Sequence, residues 1–146
     1  MFDMETKQII VFRKDLLKGE HGIRKGKFAG QVAHASLGAL LKCFTVEETS
    51  DDSVIYKVQF KKGSVLDSWL NGIFAKVVVG VESEQELLDI VAHLEDSKSK
   101  GNTIPYALIT DSGKTEFGGV PTITCLGIGP AMSEDIDTIT GGLKLL

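Results

Sequence analysis

The sequence predicts an α/β fold, with helices on both faces of a mixed sheet of about four strands. Three observations carry this. Four short runs rich in apolar and β-branched residues, KQIIVFR (7–13), KVVVGV (76–81), PYALIT (105–110) and PTITCLGI (121–128), are bounded by charge, glycine or proline, as buried strands are. Two segments with helical spacing lie between them, at about 26–44 and 83–100. Strands that alternate with helices in this way build sheets covered by helices.

Taken in order, the first strand is 7–13, and the residues before it, from Met1, read as its lead-in. Residues 16–26 hold three glycines and many charges and read as a loop. In the first helix, about 26–44, Phe28, Val32, Ala35, Ala39 and Leu40 can face a core, and the alanines allow close packing. Residues 45–53 are acidic and polar, an exposed connection. VIYKVQF (54–60) alternates apolar and polar residues, as a strand with one wet face or an extended loop would. SVLDSWLN (64–71) reads as a short helix capped by Ser64 and ended near Gly72. After the 76–81 strand, Ser83 is the N-cap of the second long helix, with Glu86 three residues on as in a capping box. Leu87, Leu88, Val91 and Leu94 form its apolar stripe and Gly101 stops it. The 105–110 strand, a polar loop over 111–119 and the 121–128 strand follow, the last ending at Gly129-Pro130. A short helix at 132–138 and an apolar end, LKLL, complete the chain.

At 146 residues the chain suits one domain, 1–146, large enough to bury a real core. No apolar run approaches the roughly 20 residues that cross a bilayer, and the N-terminus lacks the basic region and cleavage signature of a secretory signal. No membrane partner is therefore expected. Cys43 and Cys125 lie far apart, without CxxC or Cys/His ligand spacing. That argues against zinc and for free thiols in a reducing cytoplasm.

Chemistry concentrates in KGKFAGQVAHASLGA (25–39). Lys27, Gln31 and His34 recur at spacings of four and three, neighbouring rows of one helix face. A cation, an amide and an imidazole would meet at a helix N-terminus, whose unpaired N–H groups already favour an anion. A phosphate or a developing oxyanion fits there; a solvated turn before a helix is the plain alternative. The net charge of −4 speaks against a nucleic-acid binder, yet residues 13–27 hold six basic residues and two acids, a local balance of +4. Arg13, Lys18, Arg24 and Lys25, with Lys114 of a later loop, are the candidate contacts to a phosphate backbone.

Ligands of α/β sheets lie beyond the carboxyl ends of strands. DSGKT (111–115), after the third strand run, offers a carboxylate, a hydroxyl and a cation. If the 7–13 and 105–110 strands are parallel and adjacent, Lys27, His34, Asp111 and Thr115 face one cleft. A nucleotide phosphate loop is disfavoured, because it needs glycine at position 108, where leucine stands, and FGGVP continues a helix poorly. Neither GxSxG nor HExxH occurs, and neither cysteine has a histidine nearby in sequence. The residues suggest hydrolysis by polarisation and water activation, without a covalent intermediate.

Three blocks resemble the type II, archaeal and eukaryotic-type, peptidyl-tRNA hydrolases: IIVFRKDL with KGKFAGQVAHASLGA; Trp69-Leu70 leading into KVVVGVESEQELL; and ALITDSGKTEF, PTITCLGIGPA and IDTITGGLKLL to the terminus. They cover nearly the whole chain in order. The resemblance implies a three-layer α/β/α single domain around a mixed four-stranded sheet. It implies hydrolysis of the ester joining a peptide to the 3′ end of tRNA, without metal or cofactor, in the cytoplasm, and it points to a homodimer. Its motif residues fall on Lys27, Gln31, His34, Asp111 and Thr115. On this basis Asp111 positions or deprotonates water, Lys27 stabilises the oxyanion or binds phosphate, Thr115 and Gln31 orient ester or water, and His34 supports. The basic residues, with Lys114, would hold tRNA.

Three departures from the family pattern stand out. The 16–26 loop is longer than usual, the usual alanine of the DAG triplet is Ser112, and 45–60 is longer than the usual link, an extra hairpin or loop. A non-catalytic tRNA- or protein-binding relative with the same fold is the main alternative. It would have no need of the five motif residues together.

Overall fold

The computed structural model describes residues 5–146, so the lead-in read at residues 1–4 lies outside it. The strands are β1 (Thr6–Arg13), β2 (Thr45–Glu48), β3 (Val54–Lys57), β4 (Lys76–Val81), β5 (Tyr106–Asp111) and β6 (Thr122–Met132). The helices are α1 (Lys25–Leu41), α2 (Val65–Asn71), α3 (Glu84–Ser99) and α4 (Ser133–Thr140). A single 3-10 turn, Lys14–Leu17, opens the loop between β1 and α1.

β4, β1, β6 and β5 form one mixed sheet in that order. β1 is parallel to β4 and antiparallel to β6, and β5 is antiparallel to β6. β1 and β5 thus run in the same direction but are not adjacent, since β6 lies between them. Two cores flank the sheet, which makes the fold a three-layer α/β/α sandwich. Ile9, Val11, Val79, Val81, Leu126 and Ile128 face Leu87, Ile90 and Leu94 of α3 and Ile136 of α4. Ile10, Phe12 and Cys125 face Ala35 of α1, with Phe28 and Val32 against them. The strands of the middle of the sheet are buried on both sides, so they read as nearly continuous apolar runs.

Capping fixes where two helices begin. The Ser64 and Ser83 hydroxyls accept the N–H groups of Asp67 and Glu86. The Glu86 carboxylate reaches back to the Glu82 N–H at 2.6 Å, one residue earlier than a capping box requires. At the C-terminus, Leu145 bridges Val79, while Gly80 N–H bonds Lys144 O and Val78 O accepts Leu146 N–H. The apolar end of the chain thereby covers the outer edge of β4, a protection that edge strands commonly need.

Three readings change. β6 does not stop at Gly129-Pro130 but runs to Met132, pairing Lys7 with Ala131 and Thr6 with Met132. Proline is tolerated because the register shifts there: Gly129 and Pro130 together oppose Gln8. Residues 45–53, read as a connection, contain β2, which pairs with β3 in a separate two-stranded hairpin. Both faces of that hairpin are exposed, so the expected buried face of the 54–60 strand does not form.

α1 lies close on β6 because both supply small residues at the contact. A Cβ on Gly127 would stand 2.1 Å from the Ala35 carbonyl oxygen. Gly127→Ala should therefore push α1 off the sheet and cost about 1–3 kcal/mol, typical of overpacking. A denaturant midpoint unchanged from that of the native protein would refute the close approach.

Candidate active site

Asp111 ends β5, and its side chain is 8% exposed. The chain then turns sharply at Gly113, whose φ is +79° and whose N–H donates to Asp111 Oδ2 at 2.9 Å. A Cβ there would lie 2.3 Å from the Val120 carbonyl oxygen, so only glycine fits the turn. This turn leaves Oδ1 facing α1. Lys27, in the first turn of α1, donates from Nζ to Asp111 Oδ1 at 2.6 Å and to Thr115 Oγ1 at 2.9 Å. Gln31, one turn on and 2% exposed, donates from Nε2 to the same Oδ1 at 3.1 Å. Four of the five expected residues therefore converge, although β6 separates the two strands that lead to them. α1 spans the gap by packing on both β5 and β6.

His34 is not brought into this cluster. It is exposed on α1 and makes no hydrogen bond or ion pair among the described residues. His34→Ala should accordingly leave turnover within about threefold of native, the scale of substitutions away from the reacting groups. A hundredfold loss would place the imidazole at the reaction.

Sequence reading overlooked Thr124, which is fully buried. Its hydroxyl donates to Gln31 Oε1 at 2.6 Å. That bond fixes which end of the amide faces Asp111. Thr124 reaches Gln31 because of a β-bulge: Ile109 pairs Cys125 and Thr110 pairs Ile123, leaving Thr124 as the extra residue. A bulge re-aims side chains, and here Thr124 and Cys125 both turn toward α1. The Cys125 thiol donates to the Gln31 carbonyl at 3.4 Å, and burial pushes its pKa up to about 11. Such a thiol is no nucleophile.

The Lys27 ammonium beside Asp111 holds that carboxyl below the usual carboxylate range, and the Gly113 N–H and the Gln31 amide act in the same sense. Burial pulls the other way without prevailing. The carboxylate is thus ionised at neutral pH with three donors on it. The ammonium has three N–H bonds, of which Asp111 and Thr115 take two. Thr115 accepts from Lys27, so its own O–H is free to donate outward.

The basic residues divide. Lys25 and Lys114 are exposed and make no ion pair among the described residues, and the Arg24 side chain is 92% exposed, with Glu116 at 3.9 Å. Lys18 shares Glu82 with Lys14. Arg13 is otherwise engaged: it grips Asp15 with two nitrogens and the Ile123 carbonyl with a third. Among the described residues no group of three or more His, Cys, Asp or Glu side chains could hold a metal ion, and no helix is long and apolar enough to cross a membrane. The broad grooves of about 680 and 780 Å³ lie elsewhere, on the β5 edge and between α2 and the start of β1.

The sequence pattern of the family described as peptidyl-tRNA hydrolase PTH2 matches residues 6–146. A protein of Thermococcus onnurineus named peptidyl-tRNA hydrolase is 41% identical over 142 residues, which cover 96% of this chain and 97% of that one. Proteins of the same name from Methanopyrus kandleri and Metallosphaera sedula are 39% and 37% identical, each over 140 residues covering 96% of this chain and 97% and 99% of theirs. A match over nearly the whole length, which takes in Lys27, Gln31, Asp111 and Thr115, means that this chain belongs to the PTH2 family of peptidyl-tRNA hydrolases.

Proposed function

We propose that this protein hydrolyses the ester between a peptide and the 3′ end of tRNA, with Lys27, Asp111, Gln31 and Thr115 as its catalytic groups. The observation that carries this is the ammonium of Lys27, held at 2.6 Å by Asp111 with one N–H left over. A fixed cation aimed where negative charge develops is the commonest large contribution to ester hydrolysis. The Lys27 ammonium and the Thr115 hydroxyl stabilise the oxyanion that forms when water attacks the carbonyl carbon. Asp111 orients Lys27 and the water; a carboxyl of lowered pKa makes a weak base. The water oxygen bonds to carbon, and the bond to the ribose 3′-oxygen breaks. One water proton ends on that oxygen, and the other is released as the peptide leaves as a carboxylate. His34 takes the supporting role at most.

Supporting the same reading, the first turn of α1 carries neither an acidic residue nor a side-chain cap, so its N–H groups are open to an anion. Arg24, Lys25 and Lys114 flank it as contacts for tRNA phosphates, with Lys18 further out and Arg13 bracing the loop that carries them. The reading also takes residues 1–146 as one domain and the enzyme as cytoplasmic, homodimeric and independent of metal or cofactor. The deciding experiment offers N-blocked aminoacyl-tRNA and free aminoacyl-tRNA with and without EDTA. Cleavage of the blocked form alone, unchanged by chelation, is expected. No cleavage of either form would make the chain a binding protein.

Two further results are expected. Lys25→Glu should weaken tRNA binding and lower the slope of log K against log salt by about 1, since one phosphate contact is lost. Thr124→Val leaves Gln31 Oε1 buried without a donor, which costs about 1–3 kcal/mol, and frees the amide to flip. Turnover should fall with KM little changed and return in Thr124→Ser. Full activity in the valine variant would show that the amide needs no such anchor.

A further inference from the structure

The two edges of the four-stranded sheet are treated differently. The β4 edge is covered by the chain terminus at Leu145. The β5 edge is bare: β5 pairs with β6 alone, and among the described residues no main-chain bond reaches its other side. The Pro105 carbonyl accepts the Gly129 N–H at 2.7 Å, so in this antiparallel register residues 105, 107 and 109 face β6. Tyr106 and Leu108 therefore turn their N–H and C=O groups outward. The strand, YALITD, holds neither lysine nor proline, and its single charge, Asp111, belongs to the site. Natural edges are normally blunted; an open one is the kind of surface to which an extended peptide adds. A groove of about 680 Å³ runs along this edge. Lys42 and Cys43, just past α1, line one side, Glu95 and Lys98 of α3 the other, with Tyr106 and Leu108 between them. An added strand would thus lie in the plane of the sheet, between the two helical layers.

The groove leads to the reacting groups. Leu108 lies three residues before Asp111, about 10 Å along a strand. α1 follows the same path. Ala35 packs on Gly127 of β6, and a Cβ on Gly38 would lie 3.1 Å from the Ala107 Cβ of β5. One further step of three, to exposed Leu41, turns to the open side of β5. Lys27, His34 and Leu41 recur at sevens, so they share that flank from the ammonium to the groove. We propose that the peptide of peptidyl-tRNA adds to β5 as a fifth strand, with its C-terminal carbonyl at Lys27 and Thr115 and its earlier residues beside Leu108 and Tyr106. The ester fixes the direction: its carbonyl sits at the carboxyl end of β5, so the peptide runs parallel to that strand. Charge separates the two halves of the substrate. Arg24, Lys25 and Lys114 gather at the start of α1 and after β5, where tRNA leaves, whereas the strand edge offers neutral main-chain groups. Bonds to main chain read no side chain, which suits peptides of any sequence. This rests on the hydrolysis proposed above and says where the acyl half of that substrate lies.

One tRNA carrying N-blocked peptides of increasing length, from a single residue upward, tests it. KM should fall by about tenfold over the first few added residues, the effect of two main-chain hydrogen bonds, and then level. In a parallel pair every second peptide residue turns both its N–H and its C=O to the neighbouring strand. N-methylation of alternate amides should therefore abolish the gain in one phase and spare it in the other. Leu108→Pro removes an outward N–H and no bond to β6, as edge strands tolerate. It should hydrolyse the single-residue substrate as the native protein does and lose the gain with length. Should that variant misfold, the methylated substrates decide on the native protein. Equal KM for every length, or a gain indifferent to the phase of methylation, would end the peptide subsite and leave the hydrolase reading standing. A dimer that Leu108→Pro dissolves in sedimentation would give the edge to a second copy and end it also. No hydrolysis of any length would end the hydrolase reading, and the subsite with it.

Discussion

Asp111→Asn should lower kcat by about 10²–10⁴, the scale for losing a positioned acid–base or charge-stabilising group. The shape of the side chain is kept, so the loss isolates its charge and its acceptor pattern. Oδ1 accepts from Lys27 and Gln31, and Oδ2 accepts from the Gly113 N–H. An asparagine has one acceptor where two are needed. Either its amino group confronts the Gly113 N–H, or it confronts Lys27 and Gln31. In both cases a donor meets a donor, and Lys27 loses the anion that holds it. Substrate binding through Arg24, Lys25 and Lys114 should be little changed, so kcat should fall and KM stay within a few-fold.

The same variant changes the response to acid. The folded carboxyl titrates below its unfolded value because Lys27 binds its charged form. The stabilisation is fully present above the unfolded value, about 3.9 for aspartate. It is lost as pH falls through the lower folded value. Urea midpoints of the native protein should therefore decline below about pH 4, and Asp111→Asn should flatten that decline. Equal slopes for the two proteins would show that Asp111 is not held in its charged form.

How much of this could be read from the sequence differs between the fold and the site. The strand runs announced the sheet because β1 and β6 are buried on both faces along most of their length and, with β4, are rich in apolar residues. Their order was not legible, since pairing is set by long-range packing. The adjacency expected of β1 and β5 gave way to β6, whose Gly127 lets α1 come close and bridge to β5. Lys27 and Gln31 were legible from their spacing of four, and Asp111 and Thr115 from their place after a strand. His34 obeyed the same spacing yet lies exposed, because helical rows fix neighbourhood and not which row meets the sheet. Thr124 looked like an ordinary β-former in PTITCLGI. A bulge reverses the parity of a strand by one residue, and nothing in that run marks where the extra residue sits. The hairpin was legible in part: 45–60 read as an extra hairpin or loop and 54–60 as a strand or an extended loop, but β2 buries no face, so nothing set it apart from an exposed connection.

Lys27→Met is the sharpest test of whether lysine and aspartate act as one device. It keeps the aliphatic stem against α1 and removes the ammonium, so kcat should fall by about 10²–10³, as when an oxyanion donor is lost. It also leaves Asp111, 8% exposed, with its charge uncompensated. Breaking a fully buried pair costs about 3–5 kcal/mol, whereas an exposed pair contributes about 0–1. With Lys27 18% exposed, a loss between these limits is expected, and urea unfolding at pH 7 would measure it. The double variant Lys27→Met/Asp111→Asn decides the matter. Once Lys27 is gone, neutralising Asp111 removes a stranded charge, so the double variant should be more stable than Lys27→Met alone. Its kcat should be no lower than that of the worse single variant, because groups acting as a unit do not lose catalysis additively. Losses that multiply would mean that the ammonium and the carboxylate serve separate steps, and the 2.6 Å contact would then be only an ion pair beside the chemistry.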